Sequence, residues 1–224
     1  MKEKSRQFIV FGNFREVSKN DISDKLSGLI EELKLDINMS QDMFTISPRG
    51  PIMRPVLQDK SRQISIYFGL DRVCYEWDMS SLNSYDDFAS EATRVVKHII
   101  DALGLTATRL ACCGSLIHFE PEKNHRLYAK IFNPDIFFYN EDSIEWDFMT
   151  NDQVQSESLN CAINQVIRII SGINIVGIDG TSAGQLVIAY DYNTEFIGAG
   201  GVSSEKIDTF VELAKDFRNK VEAL

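Results

Sequence analysis

The sequence predicts an α+β protein in which an antiparallel sheet, or sheets, carries three main helices. Three segments repeat apolar residues with a helical period, and several others alternate apolar and polar residues as half-buried strands do. The two kinds of segment do not alternate one for one, as a parallel doubly wound sheet would require.

The first helical segment starts at Asp21, where Ile22, Leu26, Leu29, Ile30 and Leu33 fall on one apolar stripe. The second is better marked. Ser84 is a good N-cap, Asp86 and Asp87 complement the first turn, and Gly104 follows the last turn. Its predicted buried face is Phe88, Ala92, Val95, Val96, Ile99 and Leu103. The third begins after Ser203 or Ser204 and presents Ile207, Phe210, Val211, Ala214, Phe217 and Val221 before the chain reaches Leu224.

The surface for these helices comes from strands. Alternation is clear at Ile64, Ile66, Phe68 and Leu70, at Val73, Tyr75 and Trp77, and at Ile144, Trp146 and Phe148. Further strands are expected at Gln7 to Phe14, Met53 to Gln58, Arg109 to Phe119 and Gln185 to Tyr192. Ser158 to Ile170 fits either period, and its β-branched content favours a strand. A short helix is expected at Asn124 to Phe132, inside the irregular stretch Lys123 to Asp142.

The expected organisation is one compact domain over residues 1–224, in two halves, 1–80 and 81–224. Each half holds a helix followed by strands, which suggests a structural pseudo-repeat, although no residue-level repeat is visible.

A chain of 224 residues, 44% hydrophobic and without low-complexity segments, has enough apolar material for a real core. Its 23 Lys and Arg face 33 Asp and Glu, a formal net charge of −10, which opposes binding to a phosphate backbone. The same balance suits solubility and the approach of a basic partner. The apolar run Phe8 to Phe11 is too short for a signal-peptide core, and no run reaches the ~18 residues of a membrane span, so a cytoplasmic location is expected. Cys74, Cys112, Cys113 and Cys161 lie in apolar, strand-like segments without CxxC spacing and are expected to be reduced core residues.

From about Val73 onward, the order and spacing of segments resemble a sporadically distributed bacterial family of conserved hypothetical proteins of about 250 residues, a usual single-body length. The matching stretches are Tyr85 with its helix, Arg109-Leu110-Ala111-Cys112-Cys113, Trp146 to Ile170, Gln185 to Asn193, and Ser203 to Leu224. Arg109 corresponds to the arginine of the family's Arg-Tyr-Ile-Asn-like strand, with Leu110-Ala111-Cys112 in place of Tyr-Ile-Asn. The resemblance implies the fold and brings no catalytic residues.

Gly180-Thr181-Ser182-Ala183-Gly184 spells G-x-S-x-G after the apolar run Ile173 to Ile178. In a nucleophile elbow, small residues allow a strained strand-to-helix turn that exposes the serine beside oxyanion donors. The wording resembles the elbow of patatin-like lipid hydrolases, which implies Ser182 as nucleophile and predicts covalent labelling by a fluorophosphonate. Against it, Gln185 to Asn193 reads as a strand, and the residues that follow offer Asp191 and Asp208 but no histidine. A Gly- and Ser-rich hairpin connection accounts for the motif more simply.

His118-Phe119-Glu120-Pro121-Glu122-Lys123-Asn124-His125 gathers two imidazoles and two carboxylates, yet Pro121 interrupts it and the histidines are not one helical turn apart. A polar turn is the simpler reading. Gly198-Ala199-Gly200-Gly201 lacks the Lys-Ser/Thr of a P-loop and reads as a linker into the last helix. His98 is expected at the edge of the second helix's packed face, and Trp77, Trp146 and Phe137-Phe138-Tyr139 in the core rather than on a contact surface.

With no complete catalytic constellation, metal set or cofactor motif, the expected function is that of a non-enzymatic binding protein. Its partner would be a protein, with a basic surface as the natural complement and a toxin or defence-system component as a concrete example. No nucleic acid or membrane is expected, and a homo-oligomer is compatible with the sequence. The alternative is the patatin-like serine hydrolase using Ser182.

Overall fold

A computed structural model describes residues 2–42, 50–78, 84–118, 121–132, 145–176, 182–197 and 201–224. In chain order the elements are β1 (Lys2–Gly12), α1 (Lys19–Lys25), α2 (Ser27–Leu33), β2 (Asp36–Gln41), β3 (Met53–Asp59), β4 (Ile64–Phe68), β5 (Arg72–Asp78), α3 (Tyr85–Leu103), β6 (Ala107–His118), α4 (Pro121–Ile131), β7 (Trp146–Ser156), β8 (Cys161–Val176), β9 (Ser182–Thr194) and α5 (Ser204–Glu222).

The strands form one nine-stranded sheet in the order β2-β3-β4-β5-β1-β6-β9-β8-β7, with every recorded pairing antiparallel. Tight connections lead from β3 to β5, and the long strands β7, β8 and β9 form a meander. β1 and β6 meet at the centre, each flanked by the last strand of the meander that follows it, β5 and β9 respectively. The fold class is therefore α+β, with strands dominating.

The expected pseudo-repeat is not established. Residues 1–80 hold the strands β1 to β5 and two seven-residue helices, α1 and α2, whereas residues 81–224 hold the strands β6 to β9 and three longer helices, α3, α4 and α5.

The first helical segment also differs from expectation. It is two consecutive helices rather than one, broken at Leu26 (φ −110°, ψ 15°). Ser27-Gly28 follow the break, and the Ser27 hydroxyl turns back to donate to the Asp24 carbonyl, a local bond that competes with the continuous helix. The apolar stripe survives it, with Ile22, Leu26, Leu29 and Leu33 all buried. α3 follows the expectation closely. Ser84 and Asp87 form a reciprocal capping box, and Gly104 closes the helix in the left-handed conformation, φ 62°.

α3 and α5 lie side by side, with ion pairs Lys97–Asp208 and Lys215–Asp86 between them. Both face the central strands, where Phe210 lies between the rings of Phe8 and Tyr192 at 6.1 and 5.6 Å, and Phe88 meets Tyr75 and Trp77 at 5.9 and 6.5 Å. At Gly114 the backbone passes so close to its neighbours that a Cβ would lie 2.5 Å from the Tyr190 hydroxyl and 2.8 Å from the Ser5 carbonyl, so no larger residue fits without movement.

A charged network is buried under the same helices. The Glu3 carboxylate meets Arg6 at 2.7 Å and Arg218 at 3.1 Å, and it accepts a hydrogen bond of 2.9 Å from the Tyr190 hydroxyl. Strand alternation alone would place Glu3 on the opposite face from Arg6, Phe8 and Val10. A register shift between Glu3 and Ser5, one extra residue in β1 against β6, turns it to the helix side.

A second network fixes the turn after β3. Burial pushes the Asp59 carboxyl up, but hydrogen bonds from Arg62, Ser61 and their backbone amides outweigh it and hold the group at about 2. The stabilisation this provides is present above the ordinary value of 3.8 and is lost as pH falls through about 2. Asp59→Asn is expected to cost about 1–2 kcal/mol at neutral pH. Urea titrations at neutral and strongly acid pH check this, since the difference from the native chain should shrink on acidification.

Candidate functional site: the open face of the sheet

All described helices supply their buried residues to one core cluster on one side of the sheet. A second, smaller cluster consists only of strand residues: Ile9, Cys74 and Ala111, with Phe11, Tyr67 and Cys113 packed against them. These side chains point to the other face, on which no described helix packs. The face is central, it spans strands from both halves of the chain, and its residues fall in rows fixed by strand register.

One row runs Tyr67, Cys74, Ile9, Ala111, Asn193, Asn164, Gln153 from β4 to β7. Its first half is apolar. Its second half is an amide ladder, in which Asn164 donates to Asn193 at 3.1 Å and Gln153 donates to Asn164 at 3.2 Å and to Glu195 at 2.7 Å. Beside this row the Phe11 ring lies between two guanidiniums, Arg72 at 4.7 Å and Arg109 at 4.9 Å. Arg109 also donates to the Asn193 side chain and the Thr194 carbonyl, and Arg72 pairs with Asp71.

The next row carries the unsatisfied charge. Glu76, Gln7, Cys113, Asp191 and Val166 are successive partners across β5, β1, β6, β9 and β8. Neither Glu76 nor Asp191 forms an ion pair among the described residues, and the buried Oδ1 of Asp191 has no hydrogen-bond partner. Burial raises both carboxyls above their ordinary values, against a hydrogen bond from Gln7 in one case and from Asn193 in the other. Between them, burial and the neighbouring carboxylates push the Cys113 thiol up to about 12. Two partly desolvated carboxylates thus lie three strand spacings apart, about 14 Å, and the only cation that offsets burial at either is Arg109, which acts on Asp191 without forming an ion pair among the described residues.

The residues singled out in the sequence do not gather here, with the exception of Asp191. Ser182 is the first residue of β9, paired with Val176 of β8, so the chain continues as a strand where a nucleophile elbow requires a helix. Gly180 and Thr181 lie outside the described residues. Asp191 is nine residues farther along β9, about 30 Å at the rise of a strand, and Asp208 is on α5, paired with Lys97.

His118 ends β6 on the helix side, buried and opposite Leu186, while Phe119 and Glu120 lie outside the described residues. Among the described residues no group of three His, Cys, Asp or Glu is placed to hold a metal ion. Gly201 has φ 70° and Ser203 caps α5, whereas Gly198, Ala199 and Gly200 lie outside the described residues.

His98 is exposed on α3 rather than at the edge of its packed face. Trp77 and Trp146 are buried, and Phe137, Phe138 and Tyr139 are outside the described residues. All four cysteines are free, but Cys113 and Cys161 are half-buried, not fully enclosed in the core. Among the described residues no helix is long and apolar enough to cross a membrane.

The open face was not legible in advance. Alternation told which residues share a face, but which face the helices cover depends on strand order. Glu76 and Asp191 are 115 positions apart and meet in one row only through the pairings of β1 and β6. No protein-family model matches the sequence, and no curated protein matches it.

Proposed function

We propose that this chain is a non-enzymatic binding protein and that a basic segment of a partner protein docks on the open face of the sheet, placing lysine or arginine side chains against Glu76 and Asp191. The observation that carries this reading is the pair of partly buried carboxylates, neither of them in an ion pair among the described residues, on a face that no described helix covers. The arginines that strand register puts on that face are already engaged, Arg54 with the Phe14, Phe68 and Gly69 carbonyls, Arg72 with Asp71, Arg109 with Asn193 and Arg168 with Asp147, and the net charge of −10 favours a cationic partner over a polyanion. Asn164, Asn193 and Gln153 supply adaptable donors and acceptors beside the charged row.

A carboxyl raised by burial subtracts stability from the free chain once pH exceeds its unfolded value, because the unfolded state ionises first. Glu76→Gln/Asp191→Asn is therefore expected to melt higher than the native chain at neutral pH, and the difference should vanish below the ordinary values of 4.5 and 3.8. The same variant is expected to bind the partner at least about tenfold more weakly.

Affinity capture from the native host at low and moderate salt, with native and variant chains in parallel, tests the assignment. A stoichiometric protein partner that salt weakens and the variant loses supports it. A partner held equally by both chains, or by a complex indifferent to salt, places the binding surface elsewhere.

A further inference from the structure

β7 ends the sheet, and every side chain from Asn151 to Gln155 is exposed on both faces. Met149 and Val154 are 62% and 39% exposed. The strand runs eleven residues against β8 without a register shift, so its outward N–H and C=O groups form a regular row with no described strand beside it. Sheet edges of this length are normally blunted by proline, lysine, a bulge or a short strand. β7 contains no proline, no lysine and no bulge, and its Asp147 is neutralised by Arg168 at 2.5 and 3.0 Å. The opposite edge, β2, is only six residues long.

We propose that β7 pairs antiparallel with the β7 of a second copy of this chain, about a two-fold axis at Asn151, so that two nine-stranded sheets become one. An axis perpendicular to the sheet keeps helix side beside helix side. Residues opposite each other must then share a face, which restricts the axis to pass through a residue rather than between two.

Centring on Asn151 uses the whole strand and places Phe148 opposite Val154, Met149 opposite Gln153, Thr150 opposite Asp152 and Asp147 opposite Gln155. Apolar meets apolar on the helix side, and no carboxylate faces another. Moving the axis to Asp152 sets that residue against its own copy, and moving it to Thr150 sets Phe148 against Asp152. The strand is self-complementary in one register, which is what selects a second copy over a foreign strand.

Sedimentation equilibrium on the native chain is expected to show a dimer. Met149→Lys/Gln153→Lys, which brings lysines face to face across the axis on two exposed positions, is expected to yield a monomer with unchanged circular dichroism. Asn151→Cys is expected to form a covalent dimer on mild oxidation, above the background of the four native cysteines, whereas Thr150→Cys is not, because it faces Asp152. A native chain that stays monomeric across the concentration range overturns the proposal. So does a dimer that the two lysines leave intact, or one that cross-links as readily through position 150 as through 151.

Discussion

Replacing Glu3 by alanine is expected to cost about 3–5 kcal/mol of stability, because it leaves the guanidiniums of Arg6 and Arg218 in the core without their shared carboxylate. The Glu3 side chain is 3% exposed and that of Arg6 5%, so water does not replace the lost partner. Arg6 retains its hydrogen bond to the Ser84 carbonyl and its approach to the Tyr85 and Phe88 rings, and Arg218 retains Glu222, but neither set of contacts includes the shared carboxylate. The Tyr190 hydroxyl loses its acceptor as well.

The cost belongs to unpaired charge rather than to an intrinsically favourable ion pair. Removing the three charges together in Glu3→Leu/Arg6→Leu/Arg218→Leu is accordingly expected to cost less than Glu3→Ala alone. Urea denaturation of the native chain and the two variants decides between these accounts. A triple variant less stable than Glu3→Ala would show that the ion pairs themselves stabilise the fold.

Phe210→Ala is expected to cost a similar amount, about 3–5 kcal/mol, by a different mechanism. Phe210 is fully buried on α5 and lies between Phe8 of β1 and Tyr192 of β9. It joins the helix to strands on both sides of β6. Its removal opens a cavity between the two rings in a close-packed core, so transfer and cavity terms add. Thermal or urea unfolding measures the loss. Phe196, 66% exposed, is the control, and truncating it should change stability by no more than about 0.5 kcal/mol.

Against a total stability on the order of 5–15 kcal/mol, either core replacement removes a large share of the margin.

The elements that were legible in the sequence are those whose local signals agree. α3 combines an N-cap, acidic residues in its first turn, an apolar stripe and a terminal glycine, and it starts and ends where these signals lie. β4 and β5 follow their alternation. The segment before Ile170 resolves as strand β8, in keeping with its β-branched content.

What was missed lies where pairing overrides composition. β2 has too few apolar residues to announce itself, and it forms because β3 offers a ladder. β7 continues through the polar stretch Asn151 to Ser156 because the partner strand β8 continues. β1 begins at Lys2 rather than at Gln7, where the expected strand starts, because a bulge and the long-range partner Arg218 give Glu3 and Arg6 a place in the core.

By itself, the sequence determined the class of fold, the two long helices with their buried faces and most of the strand cores, since these depend on residues within a few positions of one another. It also determined the acidic balance that turns the search for a partner toward cations. The tertiary structure alone decided the strand order, and with it the face that no described helix covers, the row that joins Glu76 to Asp191, the burial of Glu3 and the edge of β7 that no described strand pairs. The physical reason is that period-2 alternation sorts side chains onto two faces without saying which face or edge will be covered. That is settled by hydrogen-bonded contacts between strands far apart in the chain.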